Sequence, residues 1–262
     1  MSLHNRKVVL TGWSGGLGQH VAAWLLEQRA SVATISRSDN GPAGARHCQA
    51  DLSSPDGRAT AASFVSEQEP DVLINLAGIQ YFGPSEQQPR SDVEATYAVN
   101  LLAPVVLCQA ALPSMKRRGS GQIINVGSIL GSIGMAYFAT YSSSKAGLRL
   151  FSEAMRRELA DTAIEVTYLA PRAARTGLIT RKLAQYAELT GMAIDEPRSV
   201  AMRIVSEIQD RNKEVHFGTA ESFFVKLNAA MPRLLDLVLA RNDRKAGALF
   251  EIQNPAGKGA SV

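Results

Sequence analysis

Tyr141 and Lys145 stand four residues apart in the run Tyr-Ser-Ser-Ser-Lys. On a helix, positions i and i+4 share a face, so a phenol and an ammonium can enter one cavity. A free phenol titrates near ~10 and exchanges its proton poorly at neutral pH. A cation a few ångströms away favours the phenolate and lowers that pKa, which makes the tyrosine a usable acid or base. The spacing alone does not separate this from a surface tyrosine beside a solvated lysine. The chemistry depends on what other segments bring to the same cavity.

Three segments bear on it. The strand-like run Lys7 to Gly12 enters Thr-Gly-Trp-Ser-Gly-Gly-Leu-Gly (residues 11–18), and an apolar helical pattern follows. A strand, a tight glycine turn and a helix N-terminus suit a dinucleotide pyrophosphate, because glycines admit the phosphates and the helix start offers free N–H donors. The spacing is T-G-x-x-x-G-x-G on Gly12, Gly16 and Gly18, not G-x-G-x-x-G. About twenty residues on, the second strand candidate ends in Ser36-Arg37. An arginine fork there suits the 2′-phosphate of NADP, so NADP(H) is favoured, while Asp39 close by keeps NAD(H) open. Ser128 closes the fifth strand candidate, on the edge where ligands collect in such sheets, or it caps a turn there.

The surrounding elements form a regular alternation. Strand candidates fall at 7–12, 31–36, 46–51, 71–78, 121–128, 164–171 and 214–218, with helical patterns at 17–29, 55–68, 90–118, 141–161 and 197–210. Apolar strands alternating with helices predict an α/β fold, a doubly wound parallel sheet of Rossmann-like, three-layer α/β/α form. Without an internal repeat or long linker, residues 1–262 read as a single domain. Residues 172–197 suit a flap over the site. Residues 219–262 form a C-terminal helical extension, kinked or divided at Pro232, with a disordered tail from Gln253.

The formal net charge of +4 is dispersed. The one dense basic run, Lys116-Arg117-Arg118 before Gly119, suits a helix C-terminus better than a nucleic-acid patch. Cys48 and Cys108 make neither a disulfide framework nor a metal cluster, so no metal is expected. The N-terminal residues show no signal-peptide pattern and no uninterrupted apolar run reaches spanning length, which predicts a soluble cytoplasmic protein.

With these residues in order, the chain resembles the short-chain dehydrogenase/reductase family. The resemblance is carried by Thr11 to Gly18, Asp51-Leu52, Asn75-Leu76-Ala77-Gly78, Asn100, Ser128, Tyr141 with Lys145, and Pro171 through Thr176. It implies that Gly12, Ser14, Gly16, Leu17 and Gly18 hold the cofactor phosphates. Asp51, beside Leu52, would bind the adenine amino group, and Asn75, Ala77 and Gly78 would shape the strand end beside the adenosine ribose. Turn capping is the rival role for Asp51 and Asn75. The resemblance further implies that Ser128 binds the substrate oxygen, that Tyr141 is the acid or base, and that Lys145 also holds the nicotinamide ribose. Asn100 would offer its backbone carbonyl to a proton-relaying water, and Thr176 would meet the nicotinamide amide or the phosphates.

Two positions depart from the family pattern. Leu76 stands where a second asparagine is usual, and Arg172 follows Pro171 where glycine is usual, so Arg172 must take another path or point away from the nicotinamide. Ile133, Met135, Tyr137, Phe138, Tyr81 and Phe82 are expected either to wall an apolar substrate pocket or to be plain core, and Arg175 and Arg181 in the flap to be solvated, with an acidic group as the rival partner. The implied activity is hydride transfer between NADP(H) and a carbonyl or secondary alcohol of an apolar small-molecule substrate. Alternatives are an NAD-dependent alcohol or steroid-type dehydrogenase and a non-enzymatic NADP-binding module. A homo-oligomer, dimer or tetramer, is expected through the helices near 100–118 and 141–161. The apolar side of 219–240 could close the pocket, bury itself against a second subunit or rest on a membrane surface, and packing within the protein or dimer is preferred to membrane contact.

Overall fold

The computed structural model describes residues 3–251. Its seven strands are β1 (Lys7–Thr11), β2 (Ser31–Ser36), β3 (Arg46–Gln49), β4 (Val72–Asn75), β5 (Gly121–Val126), β6 (Ile164–Ala170) and β7 (Glu214–His216). They form one all-parallel sheet in the order β3-β2-β1-β4-β5-β6-β7. The chain builds outward from β1 through β2 and β3, then returns to lay β4 on the other side. That reversal between β1 and β4 opens the crevice in which ligands of such sheets bind.

Strand alternation dictates the layers, since successive side chains point to opposite faces. Val8 and Leu10 of β1 pack with Val21 and Leu25 of α1 (Gly16–Glu27) and with Val200 and Ile204 of α7 (Pro197–Asp210). Val9 faces the other way, into a layer built from α2 (Pro55–Gln68), α4 (Ala103–Arg118) and α5 (Ala139–Glu158) through Val65, Leu107 and Met155. The doubly wound, Rossmann-like three-layer architecture read from the alternation is the observed one.

Several boundaries move for identifiable reasons. β4 stops at Asn75 because the next two amides, of Leu76 and Ala77, both donate to Thr11 Oγ1 at 3.0 Å instead of pairing in the sheet. β3 stops at Gln49, and Asp51 then caps a turn. The single helix expected over 90–118 is α3 (Arg90–Tyr97) and α4 joined by a π-helical segment, Ala98–Leu102. By length and composition this helix could cross a bilayer, but half of its most apolar window is buried inside the fold. Pro232 does divide the C-terminal stretch, opening α9 (Pro232–Glu251) after α8 (Thr219–Ala230), and α9 runs well past residue 240. The tail expected from Gln253 lies outside the described residues.

Candidate active site

Because every strand is parallel, the segments leaving β1, β2, β4, β5 and β6 meet on one edge of the sheet. The glycine turn after β1 is shaped by close approach. Gly12 has φ +75°, and a methyl there would lie 2.8 Å from Ala77 Cα. A methyl on Gly18 would fall 2.1 Å from the Gly12 carbonyl, and one on Gly16 would fall 2.9 Å from Thr176. No side chain caps α1, so its first N–H groups stay available to an anion. These features fit a dinucleotide phosphate held by Gly12 through Gly18, with Ser14 and Leu17 on the same turn. Arg37 is exposed at the tip of β2. The Asp51 carboxyl is held below its ordinary value by hydrogen bonds from Ser53 N–H and Oγ–H, with Arg37 adding attraction. Leu52 beside it is buried.

Asn75 departs from the expected role. Its side chain is buried in the layer between sheet and helices, where Nδ2 donates to Asn125 Oδ1 at 2.8 Å. Asn125 Nδ2 in turn donates to Ser152 Oγ at 2.9 Å on α5. The alternation of β4 turns the side chain inward, so it ties β4 to β5 and α5 and does not face the ligand crevice.

Ser128 leaves β5 at the start of a short 3-10 turn, where its Oγ accepts from Leu130 N–H at 3.1 Å. Tyr141 and Lys145 sit one turn apart on α5, both buried. Lys145 Nζ lies 6.0 Å from the Tyr141 ring centroid and donates to the Val126 carbonyl at 3.0 Å. Burial lowers its pKa from 10.5 to about 8. The sequence predicts a Tyr141 pKa lowered by this ammonium. That expectation counts the positive nicotinamide of the oxidised cofactor as well; for the protein alone, burial dominates and raises the phenol, against a smaller lowering by a hydrogen bond with Ser128. Without bound cofactor, Tyr141 is a well-protonated donor.

Asn100 is fully buried on the π segment, where such wide turns often mark functional positions. Its Oδ1 accepts from Ile79 N–H at 2.9 Å, and Nδ2 donates to the Ile79 carbonyl at 2.8 Å and Ser144 Oγ at 3.0 Å. It thereby fastens the exit of β4 to α5. Gly78 leaves the space between them open, since a methyl there would sit 3.3 Å from Asn100 Oδ1 and 3.4 Å from Lys145 Nζ.

Leu17, Gly78, Ser128, Tyr141, Lys145, Pro171 and Thr176 line one cavity of about 450 Å³. Its wall differs from the one expected. Met135 and Phe138 contribute, but Ile133, Tyr137, Tyr81 and Phe82 are absent from the lining. Phe82 stacks on the far side of Phe138 at 4.7 Å, and Tyr137 stacks on Phe250 at 5.0 Å. The missing surface comes from the flap helix α6 (Arg181–Thr190), through Leu183 and Tyr186, and from Phe224 and Leu239 of α8 and α9. The i, i+3 spacing of Leu183 and Tyr186 was the available signal for an apolar helix face. Arg172 borders the cavity, but its guanidinium is held along the flap. Its Nε and Nη2 grip Asp195 at 2.8 and 2.7 Å, and Nη1 donates to Glu221 of α8 at 3.1 Å. Arg175 pairs with Glu196 at 3.2 Å, with both side chains exposed. Among the described residues, no group of His, Cys, Asp or Glu is placed to hold a metal ion.

The short chain dehydrogenase family model matches residues 6–187. The ketoacyl reductase HetN of Nostoc sp. is 35% identical over 231 residues, which cover 82% of this chain and 79% of HetN. A 3-ketodihydrosphingosine reductase of Bacteroides thetaiotaomicron is 32% identical over 209 residues, 78% of this chain and 77% of its own. Among solved structures, a short chain dehydrogenase from Burkholderia cenocepacia in complex with NADP superposes with a TM-score of 0.78 at 24% identity, over 91% of this chain and 99% of that one. Likeness at that identity speaks for the fold, and the family match and the two relatives speak for descent. This chain belongs to the short-chain dehydrogenase family of oxidoreductases.

Proposed function

We propose that this protein is an NADP(H)-dependent reductase, working as one domain over residues 1–262, that converts the carbonyl of an apolar alkyl, acyl or ring substrate to a secondary alcohol. The observation that carries this reading is the convergence of Ser128, Tyr141 and Lys145 on a cavity walled largely by Met135, Phe138, Leu183, Tyr186, Phe224 and Leu239. A bound nicotinamide would supply the hydride. Arg37 at the β2 tip is the support for the 2′-phosphate form over NAD(H).

The chain's own residues handle the oxygen and its proton. Ser128 Oγ accepts from Leu130 N–H and shares a hydrogen bond with Tyr141, so its hydroxyl sits beside the phenol and can turn its proton to a substrate oxygen placed between them. Tyr141, kept protonated by burial, donates the proton that the developing alkoxide takes up. Lys145 places positive charge beside the resulting phenolate, and Asn100 holds the Gly78–Ile79 exit at a distance that keeps the ammonium's space clear. The two reductases reported above carry names that point to ketoacyl and 3-keto lipid substrates. A wall of flexible apolar side chains suits the same class here. A cytoplasmic setting and a homo-oligomer complete the proposal.

The test follows NADPH oxidation against simple ketones and 3-oxoacyl thioesters of graded chain length, beside Tyr141→Phe. Turnover should rise with apolar size, and the variant should lose about 10²- to 10⁴-fold in kcat while still binding NADPH. Tight NADPH binding with no turnover across the whole series would instead support a regulatory binding module.

A further inference from the structure

Tyr168 lies on β6, near the strand end that leads into the flap, and is fully buried. Its ring occupies space that two glycines leave empty. A methyl on Gly127 would fall 2.1 Å from the Tyr168 hydroxyl oxygen, and one on Gly131 would fall 2.5 Å from it. Those glycines flank Ser128 and the short turn it opens, so the loop that carries the serine is wrapped around the end of this phenol.

The hydroxyl has no solvent to turn to, and a buried hydroxyl must find partners in the protein. It finds them in the backbone of the two segments that carry the reacting groups. Tyr168 Oη accepts from Ser128 N–H at 3.3 Å, and its proton is shared between the carbonyls of Ser128 at 3.2 Å and Lys145 at 3.4 Å. One atom therefore holds both backbone groups of Ser128 and the helix turn bearing Lys145. Burial raises the phenol's pKa, so it stays a donor throughout the working range.

We propose that Tyr168 is a positioning residue, which sets the register between the Ser128 loop and the α5 turn that presents Tyr141 and Lys145. It touches neither substrate nor cofactor and acts through the three groups it braces. This inference rests on the reductase reading of Ser128, Tyr141 and Lys145. Displacement of a reacting group by a fraction of an ångström to an ångström costs up to about 10²-fold in rate. A serine loop left to settle without its brace should lose rate in that range.

The experiment is Tyr168→Phe in the full chain, assayed in NADPH-driven reduction beside Ser128→Ala and the double variant. The phenylalanine ring fills the same space, so the expected result is a kcat lowered about 10- to 100-fold, KM for the ketone and NADPH affinity within about twofold, and a loss that vanishes in the Ser128→Ala background. A Tyr168→Phe enzyme with unchanged kcat and a lowered melting temperature would reduce the residue to packing. A loss that adds fully to that of Ser128→Ala would equally overturn the assignment. If Tyr141→Phe and Ser128→Ala themselves leave turnover intact, the failure belongs to the reductase reading and not to Tyr168 alone.

Discussion

At the scale of single residues, the burial of Lys145 has two consequences with opposite readouts. Reduction needs a proton on Tyr141 and a positive charge beside the phenolate it leaves. Because the Lys145 pKa falls to about 8, kcat/KM for reduction should hold steady through neutral pH and decline as pH rises past about 8. A flat profile to pH 10 would show that the ammonium is not needed. The same shift acts on stability. The unfolded chain keeps the lysine proton up to about 10.5, whereas the folded protein releases it near 8, so between those values the unfolded state binds more protons and folding is favoured as pH increases. Urea melts of the cofactor-free protein and of Lys145→Met should therefore show wild type gaining on the variant across that window, by up to about 3 kcal/mol. Tyr141, Lys145 and Ser128 are legible in the sequence because i, i+4 spacing and a strand-end position fix where such groups go. The sign of the Tyr141 shift is not, because it depends on how completely Phe138 and its neighbours exclude water. Asn75 and Tyr168 escape a linear reading for the same reason: their partners are brought by the fold and not by adjacent sequence.

At the scale of elements, the alternation of apolar strands and helices places every strand start within one residue, while strand ends run up to three residues short of expectation because the exits toward the site leave the sheet early. The flap is readable only as an interruption. What organises it is Arg172, whose partners Asp195 and Glu221 lie 23 and 49 residues away in the chain. Asp195 is further pinned by its own backbone, donating to the Ala173 carbonyl at 2.8 Å and accepting from Arg175 N–H at 2.9 Å. The departure from glycine at this position thus links the end of β6 to the segment before α7 and to α8, of which α8 bounds the cavity. Arg172→Ala and Asp195→Asn should each raise KM for the longest substrate about 5- to 10-fold, with NADPH affinity little changed. The double variant should be no worse than either single one, because each removes the same fork. Additive losses measured in that cycle would mean that the two residues act separately. The pair is about one-third exposed at most, so the accompanying loss of stability should stay near about 1 kcal/mol.

At the scale of the whole molecule, two apolar surfaces compete to carry the proposed self-assembly. Among the described residues, five of ten exposed large hydrophobic side chains, Phe223, Met231, Leu234, Leu237 and Val238, fall within sixteen positions on α8, α9 and the residue between them. Two others, Leu102 and Leu150, lie where α5 packs against the π segment. The first surface is interrupted by charge: Lys226, Arg233, Asp236 and Arg241 are all exposed among its apolar residues, which makes it a poor seam for a tight dimer, and Asp236 among the three cations weakens its hold on anionic lipid. The second presents rigid helices with a leucine on each, anchored on the sheet beneath. We therefore expect the α4–α5 side to carry the subunit contact. Leu150→Glu should halve the mass measured by light scattering, since a carboxylate opposite its own copy is desolvated without a partner. Leu237→Glu should leave the mass unchanged, and neither the parent nor this variant should float with vesicles containing phosphatidylserine. Halving by Leu237→Glu instead would move the interface to the C-terminal helices, where assembly would also wall the substrate cavity through Phe224 and Leu239 and make turnover depend on protein concentration.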